Sequence, residues 1–124
     1  MNSAWRWIPW LALTMAAAAA MVPGDVLADW LPEALSKPGR DKVLHAAGFF
    51  LLVLCFRGWQ GPAAAPFHWI PGAVVILVLF ALLHEGIQTL IPGRFLSSGD
   101  FFADVIGIVV GVAVCLLFST PKKV

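Results

Sequence analysis

Two stretches of the chain carry residues able to do chemistry. DKVLH, residues 41–45, holds Asp41, Lys42 and His45. HEGIQTLIPGRFLSSGDFFADVIG, residues 84–107, holds Glu85, Gln88, Arg94, Ser97, Asp100 and Asp104. A histidine or a carboxylate can serve as general base, so His45 and Glu85 are the candidates for proton transfer. A guanidinium grips phosphate through two parallel hydrogen bonds, and an ammonium adds a point charge; Arg94 and Lys42 fit those tasks. Carboxylates with an imidazole can also hold a divalent metal. HEGIQ, however, offers only half of the zinc motif HExxH, because Gln88 stands where the second histidine belongs. His84, adjoining Glu85, is expected on a different face of its helix. No resident metal or other cofactor is therefore assigned. No Ser/His nucleophile arrangement is present, and the Lys/Arg-rich and Ser-Gly-His motifs of lipid phosphatases are missing.

The elements that position these groups are apolar. Of 124 residues, 60% are hydrophobic and 12% charged, with a mean hydropathy of +0.89. A soluble domain of this length carries about a quarter charged residues. The composition therefore predicts one all-α domain, residues 1–124, built as a polytopic membrane bundle. Four apolar segments are expected to span, about Trp5–Val22, Val43–Trp59, Trp69–Leu90 and Phe101–Phe118. The first run is 18 residues by this reading and long enough to cross. Its alternative is a signal peptide cleaved near Val26 and Ala28, which would leave three spans. In the first loop, DWLPEAL can form a short interfacial helix. Pro23-Gly24 and Pro92-Gly93 stop helices, and Ser97 or Ser98 can cap the last one, with Asp100 in its first turn suiting the helix dipole.

With four spans, both termini share one side with Arg6, Arg57, Lys122 and Lys123 and no acid. The other side holds Lys37, Arg40, Lys42 and Arg94 with all 7 acids. Counts of Lys and Arg are equal, so the positive-inside rule does not decide the orientation. The purely basic side suits the cytoplasm, so both termini are placed there. Trp5, Trp7, Trp10, Trp59 and Trp69 fall at the same side and read as an interfacial belt. Cys55 and Cys115 lie near that side too, and no disulfide is expected. The dispersed basic residues exclude a nucleic-acid surface.

Helix arithmetic brings the polar groups to one depth. At 1.5 Å per residue, Glu85 lies about 22 Å along a helix entering at Ile70, roughly 8 Å below the far edge of a 30 Å core. Asp104 is about 6 Å in from Asp100, and His45 about 6 Å in from Asp41. Asp41 and His45 are four apart, as are Asp100 and Asp104, and Gly107 and Gly111 continue the latter face. The glycines allow a close helix approach, within the chain or toward a partner helix. The polar groups should therefore point into the bundle. There they form either a site below the outer surface or an interhelical clasp of paired charges.

Asp-Lys-x-x-His, then Glu-x-x-Gln, Pro-x-Arg and Ser-x-x-Asp-x-x-x-Asn-x-x-Gly, is the pattern of the VanZ-like family of small bacterial membrane proteins. This chain resembles it over residues 41–112, through Asp41, Lys42, His45, Glu85, Gln88, Pro92, Arg94, Ser97, Asp100 and Gly107. It departs at Asp104, where the family usually has Asn. The resemblance implies a bacterial cytoplasmic membrane protein of the cell envelope, with a link to teicoplanin resistance, and gives no reaction. Three functions stay open. The first is binding or remodelling of an anionic lipid or lipid-linked envelope precursor. The second is an enzyme acting on such a lipid, with His45 or Glu85 as base. The third is a structural subunit with a partner on Gly107/Gly111.

Overall fold

A computed structural model describes residues 3–20, 29, 40–61, 64–91 and 98–119. A 3-10 turn, Ser3–Trp7, leads into helix α1, Ile8–Ala20. Three longer helices follow: α2, Arg40–Gln60; α3, Pro66–Gln88; and α4, Ser98–Leu117. No strand occurs among the described residues. The first loop, with DWLPEAL and the cleavage-like stretch, lies outside them except for Asp29, as does the Pro92-Gly93 turn.

Local sequence sets the boundaries. Only 14 uncharged residues separate Lys42 from Arg57, too few to cross a bilayer core alone. The helix therefore recruits polar residues at both ends and reaches 21 residues, about 31 Å. It stops at Gly61, whose φ of +85° is the left-handed conformation that terminates helices. The Gly61 amide donates to the Gly58 carbonyl, and the Arg57 guanidinium donates to the Gly61 carbonyl. Pro66 then opens α3 at a position where its missing N–H costs nothing, after Ala65 in extended conformation.

Helices α2, α3 and α4 are each long and apolar enough to cross a membrane. Helix α1 has 13 described residues, about 20 Å, and by itself falls short of the hydrocarbon thickness. Large apolar side chains such as Leu51, Leu79, Leu83, Val109 and Val110 stay exposed along the spans. Their place is the lipid, so no hydrophobic drive holds the helices together and close packing must do it.

The buried positions form one stripe per helix. On α3 they are Trp69, Ala73, Leu77, Ala81, Glu85 and Gln88, spaced four or three apart and turning polar at the C-terminal end. On α4 the stripe runs Asp100, Ala103, Asp104, Gly107, Ile108, Gly111 and Cys115, polar at the N-terminal end. On α2 it includes Phe49, Leu52, Val53 and Phe56. Helices α2 and α4 form the most extensive seam of the bundle. At its middle the backbones nearly touch: a Cβ built on Gly107 would lie 2.2 Å from the Ala46 carbonyl oxygen, and one on Gly111 would lie 2.8 Å from Val53 Cβ. The glycine pair is thus taken up within the chain, against its own α2, and does not offer an open face to another helix. At the opposite end, Trp10 packs edge-on against Phe56 and Trp59, and Arg57 sits 5.8 Å from the centre of the Trp69 ring.

Candidate functional site

The polar ends of the three stripes meet. Lys42, His45, Ala46 and Val53 follow one face of α2, and Asp100, Asp104, Gly107 and Gly111 follow one face of α4. They pair in register. Lys42 Nζ donates to Asp100 Oδ1 at 3.3 Å, and His45 Nδ1 lies 2.8 Å from Asp104 Oδ1. Then come the two glycine contacts. An aspartate is short, so it reaches across a helix pair only where the backbones are close. The Gly107–Ala46 contact one turn below supplies that closeness.

Helix α3 closes the third side. Glu85 Oε1 is 3.9 Å from His45 Nδ1. The His84 ring centre is 5.7 Å from that of His45 and 5.8 Å from Phe80. Gln88 is buried one turn beyond Glu85. Asp104 is fully buried, and Glu85, Gln88 and Asp100 nearly so. An ionised carboxylate only accepts hydrogen bonds, so a neutral His45 donates from Nδ1 to Asp104 and keeps the lone pair on Nε2. This holds the imidazole in one tautomer, the arrangement that orients a histidine base or a histidine ligand.

Of the residues expected from sequence, Lys42, His45, Glu85, Gln88, Asp100 and Asp104 come together at one end of the bundle. Asp41 lies in the first turn of α2, with its side chain outside the described residues. Arg94 and Ser97 also lie outside them. His84 corrects the sequence reading. Adjacent residues on a helix are turned by about 100°, which suggested another face. The cluster receives α2 and α4 from two sides of α3, however, and that angle is wide enough to include both His84 and Glu85. One ligand atom each from His45, His84, Glu85 and Asp104 lies within 4.8 Å of all the others. The absence of a second histidine at the HExxH spacing gave no hint of this set, because its second imidazole comes from another helix.

The VanZ/LLP1 family profile matches residues 5–119, nearly the whole chain. The chain belongs to the VanZ/LLP1 family. No curated protein and no solved structure matches it. The VanZ/LLP1 match extends on both sides of the 41–112 stretch that carried the motifs, and so takes in α1 with the aromatic contacts of Trp10. With three membrane-capable helices, this member is a membrane protein.

Proposed function

We propose that this VanZ/LLP1 protein binds or remodels an anionic lipid, or a lipid-linked precursor of the cell envelope, at the polar end of its bundle. In this reading it crosses the bacterial cytoplasmic membrane four times, with both termini in the cytoplasm and the polar end outward. The observation that carries it is burial. Glu85, Gln88, Asp100 and Asp104 are all sequestered at one end, while the rest of each stripe is apolar. Buried ionisable groups in a span are costly and mark sites. Lys42 and Arg94 would meet the phosphate, and the carboxylates and Gln88 would hold those cations and contact sugar or peptide groups. A link to glycopeptide susceptibility follows if the ligand is the outer-face precursor.

The 2.8 Å contact of His45 with Asp104 favours one second reading, an enzyme acting on the same lipid. His45, oriented by Asp104, would be the base, with Glu85 beside it and Arg94 on the developing phosphate charge.

Alanine at Arg94, Glu85, Asp100 and His45, one at a time, tests both. Membrane level, binding of lipid precursor and teicoplanin susceptibility are measured together. The headgroup reading expects lost binding and altered susceptibility at normal protein level. Four variants with normal binding and susceptibility would rule out both readings. Loss of protein level alone would make the cluster an interhelical clasp. Binding kept while lipid turnover stops, in His45→Ala or Glu85→Ala, would select the enzyme.

A further inference from the structure

We propose that His45, His84, Glu85 and Asp104 form a binding site for one divalent transition-metal ion. The four residues come from three helices, and one donor atom of each falls within a 4.8 Å span. Zinc ligands at about 2.1 Å in tetrahedral geometry stand about 3.4 Å apart, so the set closes on an ion by side-chain rotations of roughly 1 Å. Two imidazoles with two carboxylates is a donor set for zinc and its first-row neighbours. Calcium and magnesium prefer oxygen alone.

One observation beside this geometry points to a cation. Asp104 is fully buried, and its Oδ2 has no hydrogen-bond partner among the described residues. A buried acceptor left without a partner is costly, and a coordinated cation removes that cost. His45 then shares the ion with Asp104 directly, through the ring nitrogen that faces that carboxylate.

The inference deepens the headgroup reading and rests on the cluster being a binding site rather than a clasp. A bound divalent ion would let an acidic site accept a phosphate.

Metal uptake is measured on the full chain in detergent, purified without a histidine tag and stripped with chelator. Zinc is titrated and counted by elemental analysis, with cobalt absorption as the report of ligand geometry. The expected result is about one zinc per chain, with affinity weakened about tenfold or more in His84→Ala and Asp104→Asn. His68→Ala, altered at the other end of α3, should bind as the parent does. If Asp104→Asn does not fold, His84→Ala decides alone, since His84 lies off the α2–α4 seam. Zinc uptake well below one equivalent overturns the proposal. So does uptake unchanged in His84→Ala, or uptake lost in His68→Ala. Precursor binding is assayed separately with and without zinc. Zinc bound without precursor binding would remove the headgroup reading and leave the metal site standing. Precursor binding without zinc uptake would do the reverse.

Discussion

Residues at the polar end differ sharply in what they should contribute. Lys42 is about half exposed, so its bridge to Asp100 is partly screened. Lys42→Ala should cost about 0.5 kcal/mol and leave protein level unchanged. Asp104→Ala removes the acceptor of a part-buried His45 N–H and should cost about 1–3 kcal/mol. Reversible unfolding in mixed micelles measures both, and equal costs would contradict this assignment. The common depth of His45, Glu85 and Asp104 was legible in the sequence, because the rise per residue fixes how far along its helix each group lies. The partnership of His45 with Asp104 was not, since spacing says nothing about the register between two helices. His84 was hidden for a related reason: the width of a site depends on how many helices converge on it, and no single helix records that number.

At the scale of the element, the glycines separate into working and spare positions. A methyl on Gly107 would overlap the Ala46 carbonyl, and no side-chain rotation relieves a backbone contact. Gly107→Ala should therefore destabilise the bundle by about 3 kcal/mol and push α2 from α4. Gly48 has nothing within 4 Å of a built Cβ, so Gly48→Ala should be neutral or stabilising by up to about 1 kcal/mol. The same unfolding measurement compares them, and a harmless Gly107→Ala would mean that the seam is looser than described. Gly61→Ala, at a φ of +85°, should cost about 1 kcal/mol by straining the end of α2. The recruitment of Asp41, Lys42 and His45 into α2 was readable from length alone, because 14 uncharged residues cannot cross. Which helix the Gly107/Gly111 face would meet was not readable, since a small-residue patch is equally complementary to a helix of its own chain or of another.

For the whole molecule, the composition alone gave a membrane bundle, and three helices have the length and apolarity for it. The described part of α1 is shorter, and a fourth crossing belongs to the proposed topology. Orientation follows from labelling with a membrane-impermeant thiol reagent, in a background with Cys55 and Cys115 replaced by Ser. Ser98→Cys should label from outside and Asn2→Cys should not. The opposite pattern would turn the polar end toward the cytoplasm and away from any outer-face precursor.

The backbone contact between Gly107 and Ala46 has a thermodynamic consequence for the site one turn away. Two helices in contact through backbone atoms have little freedom to slide or part, so His45 and Asp104 are held at bonding distance before any ligand arrives. The conformational entropy of assembling the donors is lost when the bundle folds and not when the ligand binds. Loosening the seam while keeping every polar side chain should then weaken binding through its entropy, with the enthalpy of the contacts nearly unchanged.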